Sequence, residues 1–412
     1  MLFKRRAKIV LGLVVVALLF VLAFALSWSF PMVYKKVSGD GDFNIAKNVW
    51  KAAHVKTPSS VKAIYMTSCA ASTKSFRERV GKILDEKEIN SLVIDIKDYS
   101  GGISFKFDDK VLAESVSKRC TVSDLRDYIE SLHKKGVYVI GRITVFQDPV
   151  YSIHHSGEAV QKKSDKTVWE DGKGLSYVDP GGPFFWNYII TLAKASYELG
   201  FDEINFDYVR FPSDGNMSDI FFPLSQGKDK SVVIESFFRN LHENLKDSGM
   251  IMSADLFGMT TTNTDDLNIG QVMEKALPYF DYLCPMVYPS HYPAKFNGWT
   301  NPNLYPYEVV KYSLDKALPR VVATSTPVQT IGSLYVASTT PRLYTKPYFS
   351  IQKIRPWLQD FQYGGTYGPK EVRAQIRAVY DSGLTSFMLW DPANKYTMDA
   401  LLDKTATSSK SI

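Results

Sequence analysis

The chain has 412 residues, of which 45% are hydrophobic and 22% charged, and its 24 tyrosines, 24 phenylalanines and 7 tryptophans exclude disorder over most of the length. The formal net charge of +6 comes from six basic residues that precede Gly39, where no acidic residue occurs. The rest of the chain is therefore neutral, which argues against nucleic acid as a partner.

An uncharged, apolar run of 22 residues extends from Ile9 to Phe30, just after the basic cluster Lys4–Arg6. A helix of roughly 20 apolar residues crosses a bilayer, and the basic cluster predicts an N-terminus in the cytoplasm. We therefore predict a single-pass transmembrane helix in residues 1–30, a linker in residues 31–60 and an extracytoplasmic remainder at the cell membrane. Cleavage of the segment near Ala23–Ala25, as in a signal peptide, is the alternative and would give a secreted protein.

The three cysteines, Cys69, Cys120 and Cys284, cannot form a disulfide framework, and their spacing fits no zinc motif. Cys284 lies within an apolar run, which predicts a buried free thiol. The six histidines show no HExxH arrangement. The sequence therefore predicts neither a metal site nor a cofactor.

From residue 61 onward, short apolar runs alternate with helix-like stretches that often end at glycine. Eight such units predict an α/β fold, a closed (β/α)8 TIM barrel over residues 61–400, followed by a polar tail over residues 401–412. Arg320–Thr326 also has a strand-like pattern and competes for the seventh position. The predicted strands are Val61–Thr67, Ser91–Lys97, Gly136–Thr144, Phe201–Asp207, Met250–Asp255, Tyr282–Tyr288, Lys353–Gln359 and Leu384–Trp390.

Polar and ionisable residues occupy the carboxyl ends of nearly all these strands, where TIM barrels place their chemistry. Because side chains alternate along a strand, the fourth strand should direct Asp207 into the barrel and its apolar residues toward the helices. The same alternation directs Asp255 inward, whereas Asp360 points inward only if the seventh strand ends or bulges there. Further candidates, for substrate binding, are Asp95, Lys97, Arg142, Asn205, Tyr208, Arg210, Tyr288, His291, Trp357, Gln359 and Trp390.

Single members of this set have ordinary structural explanations. Asp95 and Lys97 are spaced to form an internal ion pair. Arg210 can neutralise Asp207, and Asp391, before a proline, suits a turn or cap. The inward acids of strands four and five, ringed by aromatic residues, favour a functional explanation, because aromatic faces beside carboxyl groups suit sugar rings. Glycoside hydrolysis needs one protonated and one ionised carboxyl group.

The segment Phe201–Ser213 resembles the hallmark segment of a bacterial glycosyl hydrolase domain family, distantly similar to the α-amylase-like TIM-barrel enzymes. The resemblance implies that Asp207, at the end of the fourth strand, is the nucleophile. Amylase-like enzymes usually carry a glutamate acid/base after the fifth strand, where this chain has Asp255. We expect Asp255 to be the acid/base, with Asp360 in reserve. Supporting matches, in barrel order, are Gly141–Ile143 with Phe146–Pro149, Tyr177–Pro180, Ser253–Gly258, Cys284–Tyr292 and Arg355–Phe361.

The sequence thus predicts a membrane-anchored, extracytoplasmic glycoside hydrolase that acts on a cell-surface or environmental polysaccharide. The alternative is a catalytically inactive TIM barrel that binds glycan. The missing glutamate favours this alternative, whereas Asp207 and Asp255 favour the enzyme. A third interpretation, a glycan esterase or deacetylase, lacks support because the chain has no GxSxG motif and no clear metal triad.

Overall fold

A computed structural model describes residues 50–107, 109–328 and 342–404. The predicted transmembrane helix, residues 31–49 of the predicted linker and residues 405–412 of the tail lie outside the described residues. Within the described ranges, no helix combines the length and apolar character needed to cross a bilayer.

Eight parallel strands close into a barrel, in the order in which they follow one another along the chain. The last strand pairs with the first, with Lys62 opposite Phe387, and this closure confirms the predicted (β/α)8 architecture. The strands are β1 (Lys62–Met66), β2 (Ser91–Lys97), β3 (Tyr138–Thr144), β4 (Glu203–Asp207), β5 (Ile251–Phe257), β6 (Tyr282–Met286), β7 (Trp357–Gln359) and β8 (Phe387–Trp390).

Helices lead from each strand to the next. The helix Lys230–Leu245, between β4 and β5, shows why these helices pack outside the barrel. Its residues Ile234, Phe237 and Leu241 recur at helical spacing and are buried. Shorter helical turns, such as Lys110–Ala113 and Pro149–His154, lie in the loops that follow β2 and β3. The connecting helices are α1 (Lys74–Glu86), α2 (Leu125–His133), α3 (Pro183–Leu199), α4 (Lys230–Leu245), α5 (Met273–Ala276), α6 (Pro306–Val322) and α7 (Pro369–Asp381).

The seventh strand lies within Lys353–Gln359, as predicted. The competing segment Arg320–Thr326 stays outside the barrel, because its first residues complete α6. Its last residues belong to a two-stranded antiparallel sheet between Ser325–Pro327 and Leu343–Thr345. The alternative assignment of the seventh strand is therefore wrong.

A buried ion pair fills the floor of the barrel, the end at which the strands begin. Glu203 accepts hydrogen bonds from Nη1 of Arg355 at 2.8 and 3.0 Å, from Oη of Tyr138 at 3.0 Å and from Oγ of Ser253 at 2.6 Å. The Arg355 guanidinium also lies 3.9 Å from the ring centre of Tyr282. Because an unpaired buried charge is costly, Glu203 and Arg355 each depend on the other for their place in the floor.

A disulfide joins Cys69, just after β1, to Cys120, in the loop before α2. The cysteine count argues against a disulfide framework and does not predict this single bond. The two residues are 51 positions apart, but β1 and β2 are paired neighbours, which brings the loops at their ends together. Cys284 is a buried free thiol on β6, as predicted.

Candidate active site

The guanidinium of Arg142, on β3, lies among three carboxyl groups at the mouth of the barrel, the end at which the strands finish. Its Nη1 donates to Oδ1 of Asp95 at 2.8 Å, and both Nε, at 3.1 Å, and Nη2 donate to Oδ2 of Asp207. Oδ2 of Asp255 lies 3.8 Å from the same Nε. None of these four residues is more than 5% exposed. Four neighbouring strands, β2 to β5, thus deliver one ion cluster.

Asn205 connects the acids of β4 and β5. Its Nδ2 donates to Oδ1 of Asp255 at 2.9 Å and to Oγ of Ser253, its in-register neighbour, at 3.0 Å. These contacts show that Asn205 and Asp255 point into the barrel, and the contact between Asp207 and Arg142 shows the same for Asp207. The inward direction agrees with the alternation along β4 and β5.

Asp255 is buried, and only one of its two oxygens is hydrogen-bonded. Nε1 of Trp357 donates to its Oδ1 at 2.8 Å, while its Oδ2 has no hydrogen-bond partner. Burial, reinforced by the negative charge of Asp207, raises the pKa of Asp255 well above its usual range. This shift favours the protonated form of Asp255, and its unpartnered oxygen is the place for a proton.

Asp207 has the opposite surroundings, since donors converge on both of its oxygens. Arg142 occupies Oδ2, and the backbone N–H of Tyr208 donates to Oδ1 at 2.5 Å. Tyr208 reaches this position through a left-handed backbone conformation with φ of 52°, which is uncommon for a bulky residue. Charge-assisted donors of this kind stabilise a carboxylate.

Asp95 supports Arg142 from the side that faces away from Asp207. Oη of Tyr65, on β1, donates to Oδ2 of Asp95. Burial raises the pKa of Asp95 to about 6, although Arg142 opposes the shift. The Tyr65 ring stacks on Trp390 with centroids 3.9 Å apart, so β8 also contributes to the cluster.

Lys97 lies outside this cluster. Its Nζ donates to Oδ2 of Asp148 at 2.8 Å, and both side chains are fully buried. The register of β2 shifts between Asp95 and Lys97, which separates the two side chains. The expected ion pair between them is therefore wrong, because Asp95 pairs with Arg142 and Lys97 with Asp148. No part of the Lys97 side chain is exposed to a substrate.

Arg210 does not neutralise Asp207, which corrects a second expected pairing. Its Nη1 donates to the carbonyl oxygen of Phe211 at 3.0 Å and to Oγ of Ser213 at 3.2 Å. The guanidinium that contacts Asp207 belongs to Arg142. Arg210 is instead placed at the rim.

A cavity of about 280 Å³ opens above the acids. The hydroxyl of Tyr288 is buried in its wall without a hydrogen-bond partner, so it can bond to a molecule in the cavity. Asp95, Asn205 and Trp357 lie behind the lining residues and hold them in place. The sequence-predicted residues that line the cavity are Arg142, Asp207, Tyr208, Arg210, Asp255, Tyr288, His291 and Trp390.

Two hollows flank the cavity. One, of about 1000 Å³, shares His291 and Trp390 with the cavity, and the other, of about 340 Å³, shares Tyr208 and Arg210. An exposed tyrosine lines each hollow, Tyr363 at 63% and Tyr99 at 58% exposure. The mouth therefore offers aromatic surfaces beyond the acid cluster.

Asp360 lines the larger hollow and not the cavity. Its two oxygens accept hydrogen bonds from N–H of Thr397 at 2.9 Å and from Oγ1 of Thr397 at 2.6 Å. Burial raises the pKa of Asp360 to about 6. The preceding Gln359 is engaged with backbone, since it accepts from N–H of Ser290 at 3.2 Å and donates to the carbonyl of Phe361 at 3.0 Å.

Tyr65 and Gln271 belong to the mouth, although neither is among the residues that the sequence pattern indicates. Tyr65 lies on a predicted strand, and the alternation of β1 would have directed it inward. Gln271, which lines the cavity and accepts a hydrogen bond from N–H of Phe257 at 2.8 Å, follows a loop that shows no recognisable pattern. Asp391 has the predicted turn role, accepting from N–H of Ala393 at 3.1 Å. Over the described ranges, no group of His, Cys, Asp or Glu side chains has the arrangement to hold a metal ion.

The chain matches the family model described as "Putative glycosyl hydrolase domain" over residues 63–396, which include all eight strands except the first residue of β1. No curated protein matches the chain. The match therefore covers nearly all of the barrel, including every residue that lines the cavity above the acids.

The solved structures to which the chain is similar include the following three. The PgaB (BpsB) glycoside hydrolase domain from Bordetella bronchiseptica has a TM-score of 0.55 at 12% identity, covering 83% of this chain and 99% of that one. Alpha-L-fucosidase isoenzyme 2 from Paenibacillus thiaminolyticus has a TM-score of 0.50 at 13% identity, covering 83% and 48%. A hypothetical protein from Ruminiclostridium thermocellum is 30% identical, with a TM-score of 0.42, covering 47% and 96%. The first two support the fold.

The raised pKa of Asp360 predicts a specific pH dependence of stability. Between about pH 4 and 6 the folded chain keeps a proton that the unfolded chain releases, so the free energy of unfolding falls as pH rises through this window. Asp360→Asn removes this loss. We expect the stability of the variant relative to wild type to increase by about 2 kcal/mol from pH 4 to pH 7. Urea unfolding followed by tryptophan fluorescence measures the free energy of unfolding at each pH. The variant Asp247→Asn, at an exposed position, is the control. If the stability of Asp360→Asn and that of wild type change with pH in the same way, the prediction is wrong.

Proposed function

The chain belongs to this glycosyl hydrolase family, and we propose that Asp207 and Asp255 are the carboxyl pair with which it hydrolyses glycosidic bonds. The observation that carries the proposal is that one guanidinium, that of Arg142, contacts both acids while their surroundings differ. Donors converge on Asp207, whereas Asp255 is buried with an unpartnered oxygen. Two carboxyl groups in unequal environments supply the acid and the anion that this reaction needs.

Asp255 is the general acid in this proposal. Burial raises its pKa, so the group enters the reaction protonated. Asn205 and Trp357 both donate to Oδ1, which fixes the carboxyl plane and leaves Oδ2 to face the cavity. As the bond from the anomeric carbon to the leaving sugar breaks, the proton passes from Oδ2 to the leaving oxygen.

Asp207 is the nucleophile, as its position at the end of β4 implies by resemblance to amylase-like enzymes. Its negative charge stabilises the oxocarbenium-like transition state, and one of its oxygens bonds to the anomeric carbon. Arg142 holds this carboxylate in place and is itself held by Asp95. In the second step, water that Asp255 deprotonates displaces Asp207 from the sugar.

The spacing of the acids supports retention of configuration. Oδ2 of Asp207 lies 3.1 Å, and Oδ2 of Asp255 3.8 Å, from Nε of Arg142, so these oxygens are no farther apart than the sum of the two distances. Carboxyl groups are about 5–5.5 Å apart in retaining enzymes and about 6.5–9.5 Å apart in inverting ones. This upper bound excludes most of the inverting range and is compatible with a covalent intermediate on Asp207.

The second candidate is a barrel that binds glycan without cleaving it. One observation favours it, since Asp255 stands where amylase-like enzymes carry a glutamate, and the side chain is one methylene shorter. A sugar ring would then need to approach Asp255 more closely to receive its proton. The aromatic walls of the mouth serve either function, so turnover separates the two candidates.

We further propose that residues 1–30 anchor the chain in the cell membrane with the barrel on the extracytoplasmic side. The disulfide between Cys69 and Cys120 supports this location, because disulfides persist in oxidising compartments. A polysaccharide of the cell surface or the environment is the proposed substrate. The hollows that flank the cavity, with Tyr99 and Tyr363, provide surface for more than one sugar ring.

Asp207→Asn tests the nucleophile, because it preserves the shape of the side chain and removes its charge. We expect turnover to fall at least about a thousandfold while glycan binding is retained. The full-length protein is first screened against a polysaccharide panel by release of reducing ends. The exposed Asp247→Asn is the matched control. Wild-type turnover in Asp207→Asn would refute the assignment, and binding without turnover in wild type would identify the inactive barrel.

Asp255→Asn tests the acid through leaving-group dependence. We expect cleavage of natural linkages to be lost, while an activated aryl glycoside, which departs without protonation, is still attacked by Asp207. Added azide should then be captured as a glycosyl azide with the substrate's anomeric configuration, which NMR reports. If Asp360→Asn shows this behaviour and Asp255→Asn does not, the acid lies on the seventh strand. A glycosyl azide of inverted configuration would contradict the retaining mechanism.

Fractionation of cells that produce the full-length chain tests the anchor. We expect the protein in the membrane fraction, released by detergent but not by salt, with Cys69 and Cys120 unreactive toward alkylation until they are reduced. A variant with Leu18→Arg and Leu19→Arg, in the middle of the apolar run, should lose membrane association. A soluble mature protein that starts near Leu26 would show cleavage of the segment instead.

A further inference from the structure

Arg210 has no role in the proposed hydrolysis, although it lines the cavity above the acids. It also lines the smaller of the two flanking hollows, of about 340 Å³, so its side chain lies at the boundary between cavity and hollow. Asp207, the acid that the sequence suggests as its partner, pairs with Arg142 instead. The charge of Arg210 is therefore left for a molecule that enters the mouth.

The guanidinium of Arg210 is fixed on one edge and open on the other. Its Nη1 donates to the carbonyl oxygen of Phe211 and to Oγ of Ser213, and its centre lies 5.1 Å from the ring centre of Tyr208. No described residue accepts a hydrogen bond from its Nε or Nη2. These two N–H groups are parallel and match the two oxygens of a carboxylate, so the open edge suits bidentate binding of that group.

A second cation, Lys173, lines the smaller hollow from a turn between β3 and α3. Oδ1 of Asp171 holds this turn, because it accepts from N–H of Lys173 at 2.8 Å and from N–H of Leu175 at 2.9 Å. Within the described ranges, Nζ of Lys173 has neither a hydrogen bond nor an ion pair. Its charge is thus available to a ligand in the hollow.

The two acids of the smaller hollow do not neutralise these cations. Asp171 is 8% exposed and uses both oxygens near its own turn, Oδ1 for the two N–H groups and Oδ2 for Nε2 of Gln147 at 3.2 Å. Asp214 is exposed and, in the part of the chain that the structure describes, forms no ion pair with Arg210 or Lys173. Two unpaired cations therefore stand against one unpaired carboxylate, which favours a negatively charged ligand.

A buried acceptor also faces the smaller hollow. Gln147 lines it and is 3% exposed, and its Oε1 has no hydrogen-bond partner. Buried polar atoms are nearly always hydrogen-bonded, because an unpaired one costs free energy. A hydroxyl group of a bound molecule would supply the missing donor. The hollow thus awaits a ligand that carries both an anionic group and a hydroxyl.

We propose that the smaller hollow binds a hexuronic acid and that the chain acts on an acidic polysaccharide, an inference that rests on the proposed hydrolysis. The sugar carboxylate accepts from Nε and Nη2 of Arg210, and Lys173 adds a second positive charge. A sugar hydroxyl donates to Oε1 of Gln147, and the exposed ring of Tyr99 offers a surface for the sugar face. This sugar lies next to the one in the cavity, because Arg210 and Tyr208 line both spaces.

Reduction of the carboxyl groups of a polysaccharide removes the charge and keeps every linkage, which gives each acidic polymer a neutral counterpart. The full-length protein in detergent is assayed on polygalacturonate, alginate and hyaluronan, each native and carboxyl-reduced, and kcat/KM is measured from the release of reducing ends. We expect at least one native polymer to be cleaved about tenfold or more better than its counterpart, and the ratio to fall as salt is added.

Variants of Arg210 test whether the open edge of its guanidinium is the source of this preference. Arg210→Gln should bring the ratio of native to reduced polymer close to one. Arg210→Lys keeps the charge without the paired donors and should restore only part of the ratio. Arg377→Gln, on α7 with its side chain 76% exposed, is the matched control and should keep the full ratio. An unchanged ratio in Arg210→Gln would overturn the uronate site.

Binding separates this proposal from the proposed hydrolysis. Affinity electrophoresis in gels that contain the same polymers uses Asp207→Asn, with and without Arg210→Gln, so that no polymer is cleaved. A preference for native polymer that depends on Arg210, without any turnover in wild type, would refute the hydrolysis and support the uronate site. Equal cleavage and binding of native and reduced polymers would overturn the uronate site and leave the hydrolysis intact.

Two further results would also overturn the uronate site. One is that no native polymer of the three is bound or cleaved. The other is that dextran sulfate binds as tightly as the best native polymer in a manner that depends on Arg210, which would identify a site for any anion and remove the selection of a carboxylate.

Discussion

The mouth of the barrel depends on the burial of three carboxyl groups around one guanidinium. In an interior of low dielectric constant, the single positive charge of Arg142 cannot stabilise three negative charges at once. Burial accordingly raises the pKa of Asp95 and Asp255, while donors converge on Asp207. The same shortage of positive charge that makes the cluster costly therefore favours the protonated form of Asp95 and Asp255, and such a difference between neighbouring acids is what the proposed acid–base chemistry requires.

This cluster is a property of the closed barrel and of no single segment. Its acids come from β2, β4 and β5, the guanidinium from β3, and Tyr65 and Trp390 complete it from β1 and β8. Each strand contributes one or two side chains whose neighbours along the chain point to the helices. The position of Arg142 is consequently set by the pairing of strands that lie far apart in sequence.

The alternation of side chains along a strand is a local property, and it was enough to direct Asn205, Asp207 and Asp255 into the barrel. Which charged side chains pair with each other is not a local property. The sequence suggests Lys97 as the partner of Asp95 and Arg210 as the partner of Asp207. The register shift in β2 instead turns Lys97 toward Asp148, and Arg142 forms ion pairs with both Asp95 and Asp207. The disulfide between Cys69 and Cys120 was missed for the same reason, since only the pairing of β1 with β2 brings their loops together.

The ion pair of Glu203 and Arg355 has a kinetic consequence for the mouth. Because this pair and Trp357 fill the barrel beneath Asp255, the proton of Asp255 exchanges with solvent through the mouth, the path that a seated sugar ring blocks. In the proposed mechanism the acid must thus be loaded before the substrate arrives, and it carries one proton per encounter. After the leaving sugar departs, the water that enters behind it completes the hydrolysis and returns the proton, so the acid is reloaded before the second sugar leaves.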